Sequence, residues 1–196
     1  MLRRLLELPL QQGRILDLGT GPGRIPIELA LRRPGWEIWA LDPSEEMLEL
    51  ARAQAADAGV SQRIHFLSGS AQGLPFAAGT FDHVFSNFVL HHLDRPEELF
   101  LEAARVTREG GRIHIRDLLR PTPWKARIIR GICKHVLRYD AIQLQWSSES
   151  LMAALSRREI CELLAQAGLT PSHLRLAGCL GYTFDIEYGP RCTHQA

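Results

Sequence analysis

The chain of 196 residues lacks an excess of charge: 23 Lys and Arg face 22 Asp and Glu, a formal net charge of +1. That balance excludes a global pull toward nucleic acid or an anionic membrane, so nucleic acid is not the expected partner. Long apolar runs are missing too. No stretch approaches the roughly 20 apolar residues of a membrane span. The opening segment, Met1 to Leu10, is short and interrupted by Arg3, Arg4, Glu7 and Pro9, unlike a signal peptide. Cysteine is sparse and scattered, at Cys133, Cys161, Cys179 and Cys192. With no CxxC pair, a disulfide scaffold is not expected; small buried thiols in a reducing, cytoplasmic setting are. His91, His92 and Asp94 lie close together but lack a further ligand at a convincing spacing, so no metal site is expected. Repeats and low-complexity tracts are absent.

What is present fits one domain spanning residues 1–196. Short apolar strands alternate with helical patterns. The strands are expected at Arg14 to Leu18, Glu37 to Leu41, Ile64 to Leu67, Phe81 to Ser86 and Arg112 to Asp117. Helices are expected from Ile25 to Leu31, from a Ser44 cap to about Ala58, and from an Asp94 cap with Glu97 to Arg108, ending at Gly110-Gly111. Ala126 to Val136 reads as amphipathic, and Ser156 with Glu159 forms a capping box for a helix ending at Gly168. Leu174 to Ala177 and Tyr182 to Tyr188 close the chain as an antiparallel strand pair. The predicted fold is a doubly wound, Rossmann-like, mainly parallel seven-stranded α/β sheet with a C-terminal antiparallel pair. His65, His83 and His114 fall on strands and read as edge or partly buried polar groups, and Asp82 lies away from the expected site.

The strongest local signal is Ile15-Leu16-Asp17-Leu18-Gly19-Thr20-Gly21-Pro22-Gly23, leaving a strand and entering a helix. Glycines let the backbone turn tightly and let a ligand approach main-chain N–H groups. A dinucleotide site needs G-x-G-x-x-G, but Arg24 occupies the last position and the spacing is G-x-G-x-G. Asp17 would repel a pyrophosphate and suits an ammonium, such as that of S-adenosylmethionine. Asp42 ends the second strand, where a carboxylate accepts from both hydroxyls of a ribose. Met47, one turn into the next helix, is a candidate to press on an adenine, or a core residue.

Five segments, ILDLGTGPG at 15–23, ALDPSEEML at 40–48, GSAQGLPF at 69–76, FDHVFSNFVLHHL at 81–93 and LEAARVTREGGRIHI at 101–115, resemble the class I S-adenosylmethionine-dependent methyltransferases. The resemblance is closest to the small-molecule enzymes of the ubiquinone/menaquinone-biosynthesis type (UbiE-like) and covers about residues 13–118. It implies S-adenosyl-L-methionine as cofactor and methyl transfer to a small molecule as activity. Asp17, Gly19, Thr20, Gly21 and Gly23 would surround the methionine part. Asp42 would hold the ribose, and Pro43 and Met47 would flank the adenine. Ser70 and Ala71 stand where relatives commonly carry Asp-Ala beside the adenine; Ser70 is a shorter, uncharged acceptor. Asn87 and Phe88 would lie beside the sulfonium. Asn87-Phe88-Val89-Leu90 departs from the (Asn/Asp)-Pro-Pro-(Tyr/Phe) run of base-amino methylation.

Because the cofactor carries an activated methyl group, the protein binds, aligns and excludes water. His91 and His92 are the candidate proton acceptors for a hydroxyl or thiol, with His91 preferred by position. Residues 119–155 would cover the acceptor and set its choice. From Arg116 to Arg138 there are seven Lys or Arg and one acid, Asp117. This fits a solvated face or an anionic acceptor, and leaves contact with RNA or a lipid headgroup as further readings. Tyr139, Trp146 and Tyr182 are candidates for an aromatic pocket. Met1 to Leu8 supplies at most two helical turns, whereas relatives have a longer lead that closes over the cofactor. Closure would then fall to residues 119–155, to a second copy or other partner, or to a longer start. A weakly catalytic S-adenosylmethionine-binding subunit that supports a partner, and a methyltransferase acting on RNA or protein, stand as alternatives.

Overall fold

The structure, a computed structural model, describes residues 1–167, 174–177 and 183–189. In chain order the elements are α1 (Leu2–Leu6), β1 (Gly13–Leu18), α2 (Arg24–Arg32), β2 (Trp36–Asp42), α3 (Glu45–Asp57), β3 (Ile64–Ser68), β4 (Phe81–Asn87) and α4 (Pro96–Val106). They continue as β5 (Thr107–Leu118), α5 (Pro123–His135), α6 (Ala141–Ala153), α7 (Arg157–Gln166), β6 (Leu174–Ala177) and β7 (Thr183–Tyr188). The seven strands form one sheet in the order β3-β2-β1-β4-β5-β7-β6. The first five are parallel, and β7 runs antiparallel to both β5 and β6. This is the doubly wound, Rossmann-like arrangement expected from the sequence. Strand order reverses between β1 and β4, opening a crevice outside their carboxyl ends.

Each sheet face carries its own apolar cluster. On one, Leu16, Val84, Ile113 and Ile186 pack with Leu99, Phe100, Ala103, Ile160 and Leu164, the last five supplied by α4 and α7. On the other, Ile15, Ile38 and Phe85 pack with Leu5, Ile27, Ala30 and Ala55 from the first three helices. Burying one such side chain stabilises by about 1.5–3 kcal/mol, so these faces hold the crevice rigid.

Helix ends follow the capping residues in two of three cases. The Ser44 hydroxyl accepts from Met47 N–H at 3.3 Å, and Ser156 and Glu159 form the reciprocal capping box. Asp94 does not cap α4: the flanking residue is Arg95, with Pro96 starting the helix. That helix also stops earlier than expected, at Val106, and Gly110-Gly111 lie inside β5, where the register with β4 shifts between Phe81 and His83. Gly111 is crowded there, since a Cβ would lie 2.6 Å from Thr107 and 2.8 Å from the Asp82 carbonyl. His83 and His114 are fully buried rather than at an edge, and burial holds the His83 imidazole down at about 3, so it is neutral. His65 does lie on the edge strand, 2.8 Å from Glu37.

The segment 119–155 holds a helix the hydrophobic pattern did not reveal. In α6, Leu144 and Leu151 face inward while Ile142 and Trp146 are exposed, so no single apolar stripe marks it. The local signal was its cap: Asp140 and Gln143 form a reciprocal box. The segment leaves and re-enters at one point, where Leu119 bridges Leu155 and Arg120 N–H donates to the Leu155 carbonyl at 2.9 Å. Ile129, Cys133 and Leu151 give it a small core of its own. Among the described residues, no helix is long and apolar enough to cross a membrane. Tyr182, Cys179 and Cys192 and the turn between the last strands fall outside the described residues.

Candidate active site

The site is built at the carboxyl ends of β1, β2 and β4. The chain leaves β1 into the glycine turn, whose Gly19 and Thr20 N–H groups both donate to the Leu41 carbonyl, at 2.8 and 3.0 Å. The turn is thereby folded over the end of β2. Gly19 has φ 75°, and a Cβ there would lie 2.1 Å from a methyl of Val89. Glycine is required on both counts, left-handed backbone and contact distance. Gly21, at φ 53°, differs: nothing lies within 4 Å of where a Cβ would be. Its exposed backbone lines a cavity of about 320 Å³, near the lower end of small-molecule sites. Gly23 caps α2 from the far side of the turn.

Asp42 joins the turn to the cavity. One carboxylate oxygen accepts from Gly21 N–H at 2.7 Å and the other from Ser44 N–H at 2.9 Å. The same side chain lines the cavity beside Pro43 and Leu41, with Ser70 and Ala71 on the neighbouring wall. Ser70 is held by its own turn, its hydroxyl accepting from Gln72 N–H at 3.1 Å. Met47 lies half-exposed on the first turn of α3, outside the lining.

Asp17 is buried beneath the turn, and Thr20 donates its hydroxyl to it at 2.8 Å. Burial is the main reason its carboxyl is pushed up to about 7; the Thr20 bond works against this and the nearby Asp42 carboxylate adds to it. No cation pairs with it among the described residues. A buried carboxylate in this state gains most from a positive charge brought to the turn.

The opposite wall comes from the end of β4. Phe88 has φ 63°, a conformation costing a non-glycine residue on the order of 1–3 kcal/mol. Its N–H donates to the Arg116 carbonyl at 2.9 Å, and its ring and Val89 line the cavity. The turn Leu90–His92 follows, and its two histidines part company. His91 Nδ1 lies 2.6 Å from the Asp117 carboxylate and its side chain is nearly buried. His92 lines the cavity, its ring 4.0 Å from that of His91. Burial and the neighbouring His91 lower its basicity, so His92 is neutral at pH 7. Of the two histidines, His92 lines the cavity and His91 does not. Asp117, expected only as the end of the fifth strand and as an acid amid basic residues, organises this wall: it also accepts from Leu90 and Leu118 N–H, both at 2.6 Å. The detectable signal was an acid ending a parallel strand.

Comparison with known proteins decides the family. The family described as "Methyltransferase domain" matches residues 16–115. This chain belongs to that family. It is a class I S-adenosylmethionine-dependent methyltransferase domain, related to the UbiE-like enzymes. The methyltransferase is 30% identical over 186 residues to the ubiquinone/menaquinone biosynthesis C-methyltransferase UbiE of Syntrophotalea carbinolica, covering 91% of this chain and 77% of that one. It is 38% identical over 113 residues to the biotin biosynthesis bifunctional protein BioHC of Cellvibrio japonicus, covering 58% of this chain but only 21% of that protein. In fold it matches an S-adenosyl-L-methionine-dependent methyltransferase structure from Methanococcus maripaludis, with TM-score 0.72 and 18% identity, over 100% of this chain and 85% of the other.

The residues present fit that cofactor. Gly21 leaves its backbone open, Asp42 offers a carboxylate on the wall, and Asp17, bonded to Thr20 and outside the lining, supplies a buried acid beneath the turn. Thr20 and Gly23 shape the turn without reaching the lining, and Asn87 ends β4 just before Phe88. Of the aromatic candidates in the insertion, Tyr139 and Trp146 face solvent.

Proposed function

We propose that this methyltransferase, a single domain, moves a methyl group to a small-molecule acceptor at the cavity between Gly21 and His92, with residues 119–155 covering the acceptor side. The observation that carries the reading is the Asp42 carboxylate, bonded to Gly21 N–H at 2.7 Å while lining that cavity. Bound S-adenosylmethionine would supply a methyl already activated by the sulfonium. The chain's residues then hold, orient and dry the site.

Asp17, with Gly19, Thr20, Gly21 and Gly23, would hold the amino acid end, and Asp42 the ribose. Pro43 and Met47 would flank the adenine, with Ser70 and Ala71 closing its edge. Asn87 and Phe88 would border the transferred methyl. Phe88, Val89 and Leu93 are the apolar side chains on that wall, where water must be displaced. Neutral His92 is suited to take a proton from an acceptor hydroxyl or thiol, steadied through His91 and Asp117.

Calorimetry with S-adenosylhomocysteine and with NAD, followed by a labelled-methyl screen of a metabolite extract, tests the proposal. Micromolar binding of the first, none of the second, and label in a small molecule are expected. NAD binding alone, or label only in RNA or protein, overturns it.

A further inference from the structure

A second cavity, of about 290 Å³, lies between α5 and α6, and no residue lining the cofactor site lines it. Ile129, Leu144 and Leu151 make its interior apolar, with Met152 at its exposed rim. The Ser148 hydroxyl is turned back onto the Leu144 carbonyl at 2.7 Å, and the other lining serine, Ser147, has its hydroxyl 4.0 Å from Cys133 Sγ, so polarity in the lining is confined to one side. Arg127 and Arg130 also line it, and neither has an ion-pair partner among the described residues. The contrast with their neighbours is informative. Arg116 makes two bonds to Asp185, at 2.7 and 2.9 Å, and Arg120 bonds the Ala154 carbonyl at 2.8 Å and reaches Glu159. Those two arginines hold the fold, whereas the pair on α5 makes no such bond among the described residues.

We propose that this cavity binds the apolar chain of one anionic amphiphile, a medium-length carboxylate or alkyl phosphate, with Arg127 and Arg130 holding its head group. The chemistry follows from the lining. An apolar cavity left empty weakens the fold, and an aliphatic chain fills it without requiring a hydrogen bond. Arginine pairs with carboxylate or phosphate through two parallel N–H bonds, and two unpaired arginines select an anion over a neutral head. A nucleic acid strand would seek aromatic platforms for its bases, and this lining is aliphatic. A second copy docked symmetrically through α5 would bring like charges together, since that helix carries Lys125, Arg127, Arg130 and Lys134 and no acid. The inference stands apart from donor binding, because none of the cofactor-site residues enters it, although the cavity lies within the 119–155 segment proposed to cover the acceptor.

Calorimetry and native mass spectrometry with octyl phosphate, below its aggregation concentration, give the test, with octanol and inorganic phosphate as controls. One octyl phosphate per chain is expected, held at least tenfold more tightly than either control. Arg127→Gln with Arg130→Gln should weaken it tenfold or more, and Ala126→Phe should block it by filling the cavity. Unchanged S-adenosylhomocysteine binding by each variant verifies that it has folded, and keeps failure here distinct from failure of the methyltransferase reading. The surface arginine pair keeps the test open if the filled variant does not fold. Equal affinity for octanol, full retention by the arginine variant, or binding only to phosphatidylglycerol vesicles through exposed residues such as Trp124 and Ile128 would overturn the proposal.

Discussion

The carboxyl ends of β1, β2 and β4 and the helix pair α5–α6 follow opposite rules. At the strand ends nearly every residue answers to several constraints at once. Asp42 bonds two backbone N–H groups and lines the cavity, and Gly19 is fixed by its φ and by Val89. In the helix pair, Trp124, Val136, Ile142, Trp146 and Met152 are largely exposed, and the internal core is small. Strand ends held by backbone geometry tolerate little change, whereas the exposed side chains of a loosely tied helix pair can be exchanged at small cost.

The comparison breaks most readily at Gly19. Gly19→Val should cost about 2–5 kcal/mol, from left-handed strain plus overlap with Val89, and abolish S-adenosylhomocysteine binding; thermal unfolding and calorimetry check both. Next comes His92→Ala, expected to lower kcat by about 10²-fold for a hydroxyl or thiol acceptor while leaving donor affinity unchanged. His91→Ala, by contrast, should lower the melting temperature, because it strips a buried partner from Asp117. Asp42→Ala should weaken S-adenosylhomocysteine by roughly ten- to a hundredfold, the worth of charge-assisted hydrogen bonds.

A smaller effect is pH-dependent. Asp17 titrates near 7 in the free protein, and an ammonium ligand binds its ionised form. Donor affinity should therefore fall by about tenfold from pH 8 to pH 6, and Asp17→Asn should flatten that profile. The same raised value makes the free protein lose stability as pH rises from about 4 to about 7, since the unfolded carboxyl ionises first. Smallest of all, Trp146→Ala on the exposed face of α6 should change stability by under about 0.5 kcal/mol and leave donor affinity unaltered. A large loss there would dissolve the contrast between the two regions.

The first five strands, the glycine turn and Asp42 were readable in the chain because each is a local matter. A buried parallel strand is an unbroken apolar run, a tight βα turn needs glycine, and a cap is written in three or four consecutive residues. The late end given to α4 arose because the Gly110-Gly111 pair looks like a helix stop; Gly111 instead sits where a Cβ would lie 2.8 Å from the Asp82 carbonyl of β4, a contact no local window contains. The Asp94 cap was misplaced by one residue, the helix starting at Pro96 after Arg95. The placement of His91 was likewise set by contact with Asp117, 26 residues away in sequence.

The amino-acid order by itself determined the alternation of strands and helices, the spacing of the glycines and the two acids at the ends of strands. These depend on backbone preferences and hydrophobic period, which act over a few residues. Only the tertiary structure decided that Asp42 reaches Gly21, that His92 faces the cavity while His91 turns to Asp117, and that α5 and α6 enclose an apolar space beside Arg127 and Arg130. Those outcomes depend on which side chains meet across the sheet and between helices, and burial and close contact act in space rather than along the chain.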